Sequence, residues 1–157
     1  MMPRKSTLSA GLSGVAGEYF VAGELFRRGF IASITLRDTA GVDVLVARGD
    51  AAGTACVQVK TNKGSSKVRV LNQKAEALVQ DNLFYVFVNL HGLDKAPTYH
   101  VVPSAVVAEH CKHHHQEYLA GVRRDGGQRQ DSSMRKFRDE HGEWEGCWGC
   151  LGLDDVV

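Results

Sequence analysis

Between residues 13 and 28 the apolar positions Val15, Tyr19, Ala22, Leu25 and Phe26 recur at helical spacing, and Gly29 supplies a stop. The pattern then changes to short β-type runs at 31–35, 42–48 and 54–61. Gly49-Asp50-Ala51-Ala52-Gly53 separates the second from the third and has the composition of a hairpin loop. A basic loop follows, then a helix-like stretch over about 72–80. Residues 83–90 form an apolar, aromatic-rich run, which predicts a central strand buried on both faces. Another strand is expected over 99–102, and Pro103-Ser104 opens a helix to about residue 118 through a serine N-cap. A Gly- and charge-rich segment fills 121–133. The last stretch, 132–153, carries Phe137, Trp144, Trp148, Leu151 and Leu153. That is enough to pack back on a domain and too little to make a second one. The expected order is α-β-β-β-α-β-β-α, a single α/β domain over residues 1–157 with a core at about 13–102 and an extension at 103–157.

Composition narrows the class. The chain has 157 residues, 43% hydrophobic and 24% charged, which is globular and large enough to bury one core without disulfide or metal staples. No apolar run approaches the ~20 residues of a membrane span. Lys plus Arg number 19 against 18 for Asp plus Glu, so global charge points neither toward nucleic acid nor away from it. The start, Met1-Met2-Pro3-Arg4-Lys5, is basic, but residues 8–22 are Gly- and Ser-rich and contain Glu18, unlike a signal peptide. Four cysteines, Cys56, Cys111, Cys147 and Cys150, are too few and too unevenly spread for a disulfide framework. The expectation is a soluble protein of the reducing cytoplasm, with no membrane partner.

Candidate chemistry begins at Glu18. Helix positions 15, 18, 22 and 25 form one stripe, so Glu18 falls on or beside the face that Val15, Ala22 and Leu25 should bury. An unpaired carboxylate is costly there, although the helix dipole also favours an acid in a first turn. Glu24 is expected on the outer face. In 55–61 the side chains alternate, which puts Cys56, Gln58 and Lys60 on one face and Val57, Val59 and Thr61 on the other. Reflecting Asp43 through a hairpin centred near residue 51 sets it level with Gln58 and Lys60, within one residue of register. Oxygen donors from Asp43, Glu18, the Gln58 amide and a strand carbonyl suit a hard divalent cation. A nearby lysine suits charge developing on a phosphorane. A solvent-facing edge strand would carry the same Gln and Lys, and the added Asp and Glu are what distinguish this chain.

Helix-borne Glu18, Gly41-Val42-Asp43-Val44-Leu45, a short hairpin and Val57-Gln58-Val59-Lys60-Thr61 resemble the PD-(D/E)XK nuclease superfamily, in a Q-x-K variant. The resemblance covers roughly 13–102. It implies a restriction-endonuclease-like core, a mixed central sheet in αβββαβ order flanked by helices, with a C-terminal helical or irregular extension. It also implies Asp43, Gln58 and Glu18 as ligands of Mg²⁺ or Mn²⁺, and Lys60 as the catalytic lysine. Val42 stands where the signature has proline. Gln58 stands where it has an acid, which removes a negative charge from the metal site.

A basic track lies beside this set. From Lys60 to Lys74 there are five basic residues, Lys60, Lys63, Lys67, Arg69 and Lys74, and no acid. Asn62, Thr61, Ser65 and Ser66 add neutral donors of the kind that hold phosphates. A solvated basic loop would look the same. The stretch 131–157 has three basic and seven acidic residues and should stay off nucleic acid. Cys147-Trp148-Gly149-Cys150 lacks a second C-x-x-C for zinc and does not precede a βαβ redox pattern, so it reads as part of an aromatic tail. The His113-His114-His115 triplet reads as a solvated face. The expected function is a metal-dependent endonuclease acting on nucleic acid, DNA in preference to RNA. The alternative is a catalytically inactive binding or interaction module on the same fold. Oligomeric state is open, with a homodimer common for a compact domain that cuts both strands.

Overall fold

The Leu12 N–H donates to the Ser9 side chain, and this cap opens helix α1, Ala10–Arg27. The computed structural model describes residues 8–36 and 41–153. The basic start at 1–5 and the last four residues lie outside the described residues. The buried positions of α1 are Ser13, Gly17, Val21, Ala22 and Leu25, spaced three and four apart to form one stripe. Glu24 departs from its expected outer position. Its side chain is 17% exposed and pairs with Arg27 and Arg28.

Strands β1 (Phe30–Ile34), β2 (Val44–Arg48) and β3 (Thr54–Asn62) form an antiparallel meander joined where the sequence places its hairpin. β4 is Val68–Asn72, β5 is Leu83–Asn89 and β6 is Thr98–Pro103. β5 returns parallel to β3, and β6 pairs antiparallel with β5, giving a mixed five-stranded sheet in the order β1-β2-β3-β5-β6. Every residue of β5 is buried, as its unbroken apolar run requires. Phe84, Val86 and Val88 join Val57, Val59, Val21 and Leu25 on the α1 side. Tyr85 and Phe87 pack on the other side with Val107 and Cys111 of helix α2, Ser104–Ala120. The fold is therefore mixed α/β, a central mixed sheet flanked by helices.

Several expectations give way. The helix expected over 72–80 is only a 3-10 turn at Gln73–Glu76, started by the Asn72 side chain accepting the Lys74 N–H. The residues before it form β4, which pairs with a further strand, β7 (Met134–Arg138), as a separate two-stranded ribbon. The crossover from β3 to β5 thus contains a strand and a short turn where the expected order has a helix. Ser104 is not the N-cap of α2, since Pro103 holds that position without a side-chain cap. Ser104 is fully buried, and its hydroxyl donates to the Gln80 carbonyl and accepts the Gln80 N–H. His115 is also buried, bonded to Asp131 at 2.7 Å, whereas His113 and His114 are exposed.

The tail packs back on the α1 side through Trp148, Leu151 and Leu153, with the Arg28 guanidinium 5.1 Å above the Trp148 ring. Cys147 and Cys150 are joined as a disulfide across the 3-10 turn Trp148–Leu151, a pairing the reading as reduced thiols did not expect. Among the described residues no helix is long and apolar enough to cross a membrane.

Candidate active-site cleft

β2 pairs with β3 only as far as Val57, so the following residues of β3 extend past the end of their neighbour. Asp43 stands at that end. Its N–H donates to the Val57 carbonyl at 2.8 Å, although Val44 is the register partner of Val57. Two residues at the head of β2 thus address one on β3, the arrangement of a β-bulge, which re-aims a side chain at a strand end. The Asp43 carboxylate uses that freedom: Oδ2 accepts the Val59 N–H at 2.7 Å. The Asp43 carbonyl accepts the Thr35 N–H at 2.9 Å. Backbone donor, backbone acceptor and one carboxylate oxygen are therefore all fixed. Among the described residues Oδ1 has no hydrogen-bond partner.

Alternation along β3 sorts the rest. Val57 and Val59 enter the core beneath α1, which turns Gln58 and Lys60 to the opposite face. There the register sets Gln58 beside Tyr85 and Lys60 beside Phe87. Gln58, Lys60 and Tyr85 line a cleft of ≈ 540 Å³, closed by Gly41, Asn72, Lys74 and Leu78. Burial pushes the Tyr85 phenol up to about 12, so it stays protonated at neutral pH. Tyr85 and Leu78 were not anticipated as part of the site. Tyr85 looks like any core aromatic until the parallel register with Gln58 is known.

Glu18 is half-buried on α1, the helix packed on the other face of the sheet. The neighbouring Gly17 is what brings the helix close. A Cβ there would overlap the Thr61 hydroxyl, so only glycine allows this approach. Thr61 adjoins Lys60 on β3 and points to the α1 side. Glu18 therefore does not share the face of Gln58 and Lys60, and the overhanging end of β3 is the border common to both faces.

The basic track divides. Lys63 and Lys67 are exposed, and Lys74 is exposed at the cleft. Arg69 is 4% exposed and donates to Asn89 Oδ1 at 2.6 Å and to the Ser66 carbonyl, with its guanidinium 5.8 Å from the Phe87 ring centre. Desolvation lowers its pKa to about 10, which still leaves it charged at neutral pH. The Asn62 amide donates to the Ser66 and Val68 carbonyls. Both residues organise the loop, where the sequence had suggested contacts to phosphate.

The donors fit a divalent cation in kind. Among the described residues no three Asp, Glu, His or Cys side chains gather as a metal-holding group. What the site offers is the second Asp43 carboxylate oxygen, beside the Val59 N–H, and the amide of Gln58, the residue that precedes Val59 on β3. Hard oxygens of this kind suit a cation such as Mg²⁺, which is held by one or two carboxylates and keeps several waters.

No family model matches this chain, and no curated protein matches it in sequence. Among solved structures it is similar to Hjc, a Holliday junction resolvase of the archaeal hyperthermophile Archaeoglobus fulgidus. That likeness has 14% identity and a TM-score of 0.46, over 80% of this chain and 84% of that one. It is also similar to a bacterial homing endonuclease, with 17% identity and a TM-score of 0.46, over 64% of this chain and 70% of that one.

Proposed function

We propose that this chain is a metal-dependent endonuclease that hydrolyses phosphodiester bonds of nucleic acid, DNA in preference to RNA. The observation that carries the reading is the Asp43 carboxylate bonded to the Val59 N–H, between the two residues, Gln58 and Lys60, that turn into one cleft. In this reading Asp43 and Gln58 would hold Mg²⁺ or Mn²⁺, with Glu18 reaching the same cation from the α1 side around the overhanging end of β3. When bound, the cation supplies Lewis acidity and lowers the pKa of a water. Lys60 offsets the charge that develops on the scissile phosphate. Lys63, Lys67 and Lys74 hold the backbone, and Arg69 and Asn62 act through the loop they brace. The active unit is one cytoplasmic domain over residues 1–157, with a homodimer as the form that cuts both strands.

Gln58 favours a second reading, a nucleic-acid-binding or interaction module that kept the fold without catalysis. Plasmid, linear, branched and single-stranded substrates incubated with Mg²⁺ or Mn²⁺ separate the two. Cleavage of at least one substrate is expected, with Lys60→Ala lowering turnover by about two to four orders of magnitude and leaving binding nearly unchanged. Binding that is indifferent to metal, with no cleavage of any substrate, would favour the module.

A further inference from the structure

A second electropositive groove lies away from the cleft, where α2 ends and the chain turns back toward β7. It has a volume of ≈ 620 Å³ and is lined by His114, Arg123, Arg124, Arg129 and Lys136, with Glu117 the one acid among its walls. Glu117 faces His113 at 3.7 Å, and Arg123 is paired with Asp125 at 3.1 Å. Among the described residues Arg124, Arg129 and Lys136 have no carboxylate partner. Three cations around one groove, with Glu117 the one carboxylate in its walls, leave the groove with a net positive potential that attracts an anion.

The groove is also held in shape. The Arg129 guanidinium donates to the Tyr118 carbonyl at 3.1 Å and lies 4.7 Å above the Tyr118 ring. Gly121 makes room for it, because a Cβ there would stand 3.0 Å from the guanidinium carbon. The Arg123 N–H donates to the Gly127 carbonyl, and the Gly126 N–H to the Arg123 carbonyl, so the segment carrying Arg123 and Arg124 is a closed turn. Its far end is fastened by Asp131 to the buried His115.

A path joins this groove to the cleft. Lys136 lies across from Val70 in the β4–β7 ribbon, and Asn72, two residues along β4, lines the cleft with Lys74 and Lys60. Arg69, Leu71, Arg135 and Phe137 face inward, so Val70, Asn72, Met134, Lys136 and Arg138 make the outer face between the two basic sites.

We propose that the groove at the end of α2 is a second phosphate-backbone site. It holds nucleic acid that runs on from the Lys60 cleft across the outer face of the ribbon; β7 carries none of the acids of 131–157, so this face departs from the expectation that the whole stretch stays off nucleic acid. This rests on the nuclease reading of the cleft and adds what that reading lacks, a length of substrate that must be engaged outside it. The chemistry recognised is the phosphodiester backbone, shared by DNA and RNA.

Salt-dependent binding of the full chain tests it, using labelled DNA and RNA duplexes of about 30 and about 8 base pairs, the DNA roughly 100 and 27 Å long at 3.4 Å per pair. Arg124→Gln with Lys136→Gln is expected to lower the slope of log K against log salt by about 1.8 on the long duplexes, at ~0.9 per phosphate contact. Arg27→Gln with Lys95→Gln removes the same charge elsewhere and should leave the slope unchanged. Lys63→Gln with Lys74→Gln reports on the cleft and should lower the slope on both lengths. If the cleft pair acts and the groove pair does not, the second site is overturned and the cleft stands. If the wild-type chain binds no duplex in a salt-dependent way, both are overturned.

Discussion

The Val59 N–H donates to Asp43 Oδ2 at 2.7 Å, so a carboxylate at the head of β2 occupies a backbone position on β3 that β2 itself does not reach. Asp43 is in consequence both a structural cap and the candidate metal ligand, and two substitutions separate the roles. Asp43→Ala leaves a part-buried N–H without an acceptor and should lower stability by about 1–3 kcal/mol. Asp43→Asn keeps an acceptor of the same shape and should cost under about 1 kcal/mol, yet remove the charge a cation needs. Urea unfolding and metal-dependent cleavage, run in parallel, check this. Full activity in Asp43→Asn would remove Asp43 from the metal site.

Gly17 and Thr61 form a second coupled pair. Gly17→Ala places a methyl group on the Thr61 hydroxyl and should destabilise the protein by about 1–3 kcal/mol, the usual scale of overpacking. Among the described residues Thr61 Oγ1 is buried without a hydrogen-bond partner, so trimming it removes no such bond. The double variant Gly17→Ala with Thr61→Ala should recover much of the loss. A non-additive double-mutant cycle is the signature, and additivity would mean that the contact is not tight.

The buried and exposed cations of the basic track should respond in opposite ways. Lys67→Gln is expected to leave stability within about 0.5 kcal/mol and to lower the salt slope of nucleic-acid binding by about 0.9. Arg69→Gln should unfold at clearly lower urea, because Asn89 Oδ1 and the Ser66 carbonyl lose their donor. Its folded fraction should keep the wild-type slope. A lowered slope in Arg69→Gln at full stability would restore Arg69 as a phosphate contact.

Cys111 supplies a pH signature. Burial, together with the nearby Glu76 charge and against Arg135, raises its thiol pKa to about 11 from the ordinary 9. Between those values the unfolded chain has lost a proton that the folded chain keeps. The unfolded state then binds fewer protons, and stability falls as pH rises from about 9 to 11. Cys111→Ala should be less stable at neutral pH, because a filled core position is emptied, but should show a shallower decline over that range. Urea midpoints at pH 8 and pH 10.5 measure it, and parallel declines in the two proteins would contradict it.

Features carried by local pattern were legible in the amino-acid order. The helical spacing of α1, the meander with its five-residue loop and the unbroken apolar run of β5 all appear where the pattern puts them. A strand's side chains alternate whatever its neighbours are, so the common face of Gln58 and Lys60 followed from counting by twos. The level of Asp43 followed from the hairpin, because a short loop sets register.

What escaped depends on partners distant in the chain. β4 looked like a basic loop running into a helix because its strand partner, β7, lies some sixty residues away. Ser104 has the residue type of a helix cap, but the fold brings the Gln80 backbone against its hydroxyl. Arg69 is a basic residue among basic residues until Asn89 and Phe87 arrive from the neighbouring layer and bury it. The face that α1 covers, with Gly17 set against Thr61 near the end of β3, was likewise decided by packing. Periodicity states which residues travel together on one face; only the assembled layers determine what that face meets, because burial and long-range hydrogen bonding are properties of the neighbours.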